Sequence, residues 1–273
     1  MSTPKEPLFF IKEEIIDTYK KYHKALKKIY HKLPSTYEDY LKIFHPANRN
    51  QICGESSATY LYYYKNSIPK IKKYLGDVKI IILLRNPVEK AFSQYKFLRR
   101  MGNINKKESF EETLSRENKR IQSFYSDMYH VKRQGLYYEQ VKSFIESFSQ
   151  VKIFLTEDLE TQPDDTLKIL CNFLNVADTF NFDFSEKHNV SSFIPNNYFI
   201  HNLINKKAGS KIRKILWNIT GNEVRDSLRN IYFRKNQAPL ELNPETKSYL
   251  KDYYRDNILH LQKLINRDLS EWL

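Results

Sequence analysis

The sequence predicts an α/β fold built on a parallel sheet, and three observations predict it. Two short runs, VKIIILL (78–84) and VKIFLT (151–156), have the continuous apolar character of strands buried in a parallel sheet. Each is followed by a stretch of helical periodicity, the strand–helix alternation of α/β proteins. A chain of 273 residues, 41% hydrophobic and 28% charged, is composed to fill one large core rather than to stay disordered. Neither a repeat nor a Pro/Gly/Ser-rich linker divides it, so residues 1–273 read as a single domain.

The elements follow in order. Ile15, Ile16, Tyr19, His23, Leu26, Ile29 and Tyr30 recur at helical spacing, with Lys20, Lys21, Lys24, Lys27 and Lys28 mostly on the other side. A second helix is predicted from about Tyr60 to Tyr74, stopped by Gly76 as a C-cap. After the first strand, Asn86 can cap a helix whose first position is Pro87 and which runs to about Arg100. Further helices are predicted over Ser109–Gln122 and Leu136–Phe148. The second strand leads into another near Asp164–Leu174. From about Phe199 the chain reads as helical, apart from an irregular stretch around Tyr232–Asn243.

Composition excludes several classes. The run 78–84 is interrupted by Lys79 and ends at Arg85, far too short to span a bilayer, and no basic-then-apolar leader opens the sequence. Two cysteines, Cys53 and Cys171, cannot build a disulfide framework and lack CxxC spacing. A reducing, cytoplasmic setting without a structural metal is the expectation. The charge is less ordinary: 45 Lys plus Arg against 32 Asp plus Glu gives +13. Such a surface attracts anions, whether nucleotide, acidic glycan, nucleic acid or anionic membrane.

The sharpest local signal is KIIILLRNPVEKAFSQY (79–95). A parallel strand that opens into a helix N-terminus is where α/β proteins bind anions. Ser93 lies seven residues after Asn86, nearly the same helix face, while Val88, Ala91, Phe92, Tyr95 and Leu98 form the apolar stripe on the other side. Arg85 and Ser93 can thus converge on one phosphate. The alternative is that Arg85 pairs with a carboxylate and Ser93 is simply exposed.

This segment resembles the 3′-phosphate motif of sulfotransferase domains that use 3′-phosphoadenosine 5′-phosphosulfate, in the branch holding heparan sulfate sulfotransferases and their bacterial relatives. The motif is an Arg, then Asn/Asp-Pro, then a Ser eight residues after the Arg. Other blocks agree in order. KEPLFF (5–10) is similar to the Lys-Glu-x-x-Phe-Phe block that carries the catalytic base, and GESSATYL (54–61) to a Gly-Glu-x-Ser-x-x-Tyr block. GLYYEQVKSF (135–144) resembles a Gly-x-Tyr block, and KIFLTEDL (152–159) a strand ending in Glu-x-Leu. FRKNQAPL (233–240) with RDLSEW (267–272) looks like the phosphate-clamping loop and final helix.

The resemblance implies a P-loop NTPase-like three-layer fold with a central parallel sheet and a helical C-terminal third. It also brings departures. The family's first strand and its glycine loop, which wraps the 5′-phosphosulfate, would precede the Lys-Glu block, where this sequence has four residues. The first strand is therefore expected to be missing. Because that strand lies mid-sheet in the family, its loss is expected to leave a cleft in the sheet, with poor stability, self-association through exposed strand edges, or recruitment of another segment into the gap. Ser56 stands where glycan-specific relatives often have lysine.

For mechanism, the resemblance makes Glu6 the general base, with Lys5 beside it touching the sulfuryl oxygens. Arg85 and Ser93 would hold the 3′-phosphate, and Arg234 or Lys235 would close over the cofactor. Tyr137 is either a packed aromatic with a satisfied hydroxyl or a cofactor ligand. The expected co-substrate is 3′-phosphoadenosine 5′-phosphosulfate, with no metal, and the acceptor a hydroxyl or amine, a glycan among the candidates. Two other readings stand beside this one. One is a catalytically impaired nucleotide-binding pseudoenzyme of the same fold, and the lesser is a basic nucleic-acid binder, although no specific nucleic-acid partner is expected.

Overall fold

In the computed structural model of the chain, the structure describes residues 5–16, 33–45, 47–48, 50–180, 182, 184, 194–195, 237–238 and 240–273. The lysine-rich helix predicted beyond Ile16, and most of the region from Phe199 to Asn243, lie outside the described residues. In chain order, α1 is Tyr37–Lys42, α2 Thr59–Tyr62, α3 Tyr64–Leu75, β1 Ile80–Leu84 and α4 Pro87–Arg100. Next come α5 (Phe110–Ser115), α6 (Glu117–Gln122), α7 (Tyr137–Ser147), β2 (Val151–Leu155), α8 (Thr156–Thr161) and α9 (Pro163–Leu174). The short strands β3 (Ile194–Pro195) and β4 (Gln237–Ala238) precede the long helix α10 (Pro244–Ile265).

Local chemistry accounts for most boundaries. Asn86 caps α4 by accepting from the backbone N–H of Val88 at 3.0 Å and of Glu89 at 3.4 Å, with Pro87 at the first helical position. Gly76 ends α3 at φ +73°, a conformation that suits glycine. Ser109 and Glu112 form a capping box at the start of α5. The single helix expected over 109–122 is broken at Arg116, and that over 60–74 at Tyr63. Asn175 and Asn266, both left-handed, close α9 and α10.

β1 and β2 pair in parallel over their full length, from Ile80 opposite Val151 to Leu84 opposite Leu155. No gap separates these two strands. Each strand meets the other's backbone hydrogen-bonding groups directly, which removes the orphaned ladder a gap would create. Pairing sets Ile82, Leu84 and Leu155 on one face, all buried, and Ile81 and Leu83 on the other, 43% and 50% exposed. The buried face belongs to a core that includes Val88, Tyr95 and Leu98 of α4, Val141 and Phe144 of α7, and Leu250, Tyr254, Ile258 and Leu261 of α10. A second, antiparallel ladder joins β3 to β4, and β3 lies beside α4.

One close approach fixes the chain behind the strand ends. Gly135 sits in a short 3-10 turn where an added Cβ would come within 2.9 Å of Pro87 Cβ and of the Tyr254 ring. Both neighbours are rigid and buried. Gly135→Ala is accordingly expected to destabilise the fold by about 1–3 kcal/mol, the usual cost of overpacking. A melting temperature equal to the parent's would contradict this packing.

Candidate active site

Leu84 and Leu155 end the two parallel strands side by side, so Arg85 and Thr156 leave the sheet at the same, carboxyl-terminal, edge. The blocks singled out in the sequence meet there in pairs. Tyr137, buried, donates its hydroxyl to the carbonyl of Arg85 at 3.0 Å. Burial first, offset by that bond, lifts its phenol well above the ordinary tyrosine range. Tyr137 thus acts on the strand end through the backbone of Arg85. Behind it, the Trp272 indole N–H donates to Glu157 at 2.8 Å and Arg267 pairs with Asp158 at 2.7 Å. These contacts lock the RDLSEW segment onto the end of the KIFLTEDL strand.

The Arg85 guanidinium reaches Glu89, one turn into α4, at 3.0 Å from Nη2 and 3.2 Å from Nε. Both side chains are about half exposed, at 45% and 59%. This is the carboxylate pairing that stood as the alternative for Arg85, and such an i,i+4 surface pair contributes little. Ser93 is half-buried on the same helix, and the expected apolar stripe is inward, with Val88, Ala91, Tyr95 and Leu98 buried. Lys96, a turn beyond Ser93, has its ammonium pulled down by burial and, secondarily, by the positive charge of Arg85. Sequence reasoning missed Lys96, although its position three residues after Ser93 places it on the same flank.

Lys5 and Glu6 lie in an exposed turn before the short 3-10 segment Phe9–Ile11. Desolvation raises the Glu6 carboxyl above its ordinary range. The turn is fastened to the 54–61 block: the Leu8 N–H donates to Ser57 Oγ at 3.3 Å and the Phe10 N–H to the Tyr60 hydroxyl at 3.4 Å. From that block the connection continues through α2, where the Tyr62 hydroxyl shares a 2.7 Å hydrogen bond with His130 Nδ1. Burial keeps that imidazole neutral, its pKa pushed down to about 4. The segment holding His130 is in turn fixed to α4 by Lys90 to Gln134 at 2.9 Å and by Gln94 to the Met128 carbonyl at 2.9 Å. Burial lowers the Lys90 ammonium to about 8, with Asp127 and Glu117 opposing. Separate hydrogen bonds thus fasten the turn bearing Glu6 to the 54–61 block, α2 to the segment holding His130, and that segment to the helix bearing Ser93.

Arg234 and Lys235 lie outside the described residues; the chain after them enters β4, whose partner β3 lies beside α4. Among the described residues, no group of His, Cys, Asp and Glu is arranged to hold a metal ion, and no helix is long and apolar enough to cross a membrane.

The sulfotransferase domain model matches residues 12–214 of this sequence, a range that takes in Glu55, Arg85, Ser93 and Tyr137. The chain belongs to that family. A sulfotransferase from Alicyclobacillus acidocaldarius, known from its crystal structure, has a similar fold, with a TM-score of 0.73 and 24% identity. The match covers 99% of this chain and 87% of the other. No curated protein sequence matches significantly. The sulfotransferase domain therefore has the α/β, P-loop-like fold expected, with its parallel strand pair and surrounding helices.

Proposed function

We propose that this domain transfers a sulfuryl group from 3′-phosphoadenosine 5′-phosphosulfate to a hydroxyl or amine acceptor. The observation that carries the reading is the constellation of Arg85, Ser93 and Lys96 at a capped helix N-terminus on the carboxyl edge of parallel strands. Arg85 precedes the Asn86 cap, Ser93 and Lys96 follow along the same helix, and the charge of Arg85 is felt at Lys96, which supports a shared anion site there. Arg85 and Ser93 would hold the 3′-phosphate, with Tyr137 fixing the backbone from which Arg85 extends. Arg234 and Lys235 would close over the nucleotide. An acceptor oxygen or nitrogen attacks sulfur in line as the bond from sulfur to the 5′-phosphate oxygen breaks. The acceptor proton passes to Glu6, and adenosine 3′,5′-bisphosphate leaves. Lys5 would stabilise the sulfuryl oxygens as charge shifts to the leaving group. Positioning and charge stabilisation dominate such transfers. The net charge of +13 favours an anionic acceptor, and among the acceptor classes an acidic glycan fits it best.

Arg85→Ala removes a charge-assisted contact and is expected to weaken binding of adenosine 3′,5′-bisphosphate by about 1.5–3 kcal/mol, roughly 10- to 150-fold in Kd. Isothermal calorimetry on parent and variant tests it. Equal affinities would remove Arg85 from the site.

A further inference from the structure

Tyr249 and Tyr253 stand about one turn apart on α10 with much of their surface open to solvent, at 49% and 38% exposure. Their ring centroids are 6.4 Å apart and their planes tilted by 31°, so they form a row rather than a slot. The Lys132 ammonium lies over both rings, 5.5 Å from the Tyr249 centroid and 5.0 Å from that of Tyr253. It donates to the Tyr249 hydroxyl at 3.1 Å, which leaves two of its three N–H donors for a ligand. Asp252, the acid beside Tyr253 in sequence, is engaged by Arg255 at 3.2 Å.

The backbone under this cation is clamped from both sides. Glu117, 2% exposed, accepts the Lys132 N–H at 2.7 Å on one carboxylate oxygen and the Arg133 N–H at 2.9 Å on the other. The buried Tyr254 donates its hydroxyl to the Lys132 carbonyl at 2.9 Å. Burying a carboxylate is costly unless it is hydrogen-bonded, and here both oxygens are spent on the backbone of two consecutive cations. Arg133 is exposed, and its guanidinium has no carboxylate partner among the described residues. The chain then runs to the strand ends: Gly135 meets Pro87 at the start of α4, and Tyr137 meets the Arg85 carbonyl. Lys132 and Gly135 are three residues apart, at most about 11 Å. We propose that Lys132, Arg133, Tyr249 and Tyr253 form a subsite for an acidic oligosaccharide acceptor, set apart from the reacting group. That the bound glycan is the acceptor rests on the sulfotransfer reading above; its binding at this site does not. The electron-rich ring faces suit the C–H faces of sugar rings, and the cations their carboxylate or sulfate groups. Tyrosine offers such contact area at low entropic cost. A row of rings a turn apart serves successive sugars of one chain, which can extend past Gly135 toward the α4 N-terminus.

Calorimetry of a heparin hexasaccharide against the full chain at fixed salt tests the site without turnover. Tyr249→Ala and Tyr253→Ala remove a ring but no charge, and each is expected to weaken binding about three- to tenfold, the scale of one aromatic contact. Lys132→Ala and Arg133→Ala should each weaken it about tenfold, the scale of a charge-assisted hydrogen bond. Tyr253→Phe keeps the ring and should bind as the parent does. Lys168→Ala, which removes the same charge from the exposed flank of α9, should change Kd less than about twofold. With the desulfated hexasaccharide as acceptor, the losses should fall on KM, with kcat and affinity for adenosine 3′,5′-bisphosphate unchanged. Affinity untouched by the tyrosine variants, or lost equally in Lys168→Ala, overturns the subsite, because either result describes a diffuse basic surface. Tighter binding of a uridine oligonucleotide of equal charge, sensitive to the same variants, assigns the row to nucleic acid and overturns the glycan as occupant. Hexasaccharide binding that follows the variants while the parent shows no turnover upholds the site and overturns the sulfotransfer reading instead.

Discussion

Glu6→Gln is expected to cut sulfuryl transfer by about 10²–10⁴-fold while adenosine 3′,5′-bisphosphate still binds as in the parent. The amide keeps the size and polarity of the side chain but cannot take the acceptor's proton. The turn should keep its shape, because its backbone hooks run from Leu8 and Phe10 rather than from Glu6. Partial desolvation raises the Glu6 carboxyl, which brings it closer to the operating pH. Turnover should therefore rise with pH through the Glu6 ionisation in the parent, and the variant should lack that limb. Single-turnover rates with calorimetry alongside decide the matter. Near-full turnover in the variant would take Glu6 out of the mechanism.

The largest stability effect is expected far from the strand ends, at Glu108. Its side chain is 4% exposed and accepts from Arg120 at 2.6 Å, Arg116 at 2.8 Å and the Thr113 hydroxyl at 2.8 Å. Arg120 is itself only 12% exposed. Glu108→Ala leaves that guanidinium buried without its counter-charge, which costs about 3–5 kcal/mol. Replacing Glu108 and Arg120 together by apolar residues should cost much less, because no charge is then stranded. Burial opposes ionisation of Glu108, but the Arg120 and Thr113 bonds outweigh it and the carboxyl ends below its ordinary range. Its contribution is thus complete above the ordinary glutamate pKa of 4.5 and is lost as pH falls toward the lowered value. Denaturant unfolding at neutral and acid pH tests both points. A loss under about 1 kcal/mol at pH 7 would show that the pair is not carrying the α5–α6 corner.

The parts of this molecule that were legible in the sequence are those governed by local chemistry. The β1–α4 junction was plain because Asn86, Pro87 and the apolar stripe act within one helix, and α4 ends at the predicted Arg100. The breaks at Tyr63 and Arg116 were hidden, since the helical pattern runs through both and only packing separates the flanking helices. VKIIILL suggested a strand buried on both faces, yet Ile81 and Leu83 are substantially exposed. An unbroken apolar run states what a strand can bury, not what covers it. At the strand ends, Arg85 and Tyr137 were read from their blocks, but the hydroxyl-to-carbonyl bond between them joins residues far apart in sequence. The same applies to Ser57 and Tyr60: their block is visible in the sequence, while their hydrogen bonds to the Glu6 turn exist only once the chain is folded. Lys96 was passed over because its neighbours fit an ordinary basic helix flank.

The direct pairing of β1 with β2 also bears on how the chain reaches this state. The two strands are joined by everything from Arg85 to Gln150, so their ladder closes one of the longest loops in the described chain. Loop-closure entropy must be met before those bonds give anything back. Between them, α4 has a strong start signal in the Asn86 cap and Pro87, so it can form early. The strand pair is then expected to come together late, as α7 and α10 dock. Substitutions within the ladder should consequently quicken unfolding more than they slow refolding, while those where α4 meets the Arg133–Gly135 turn should do the reverse.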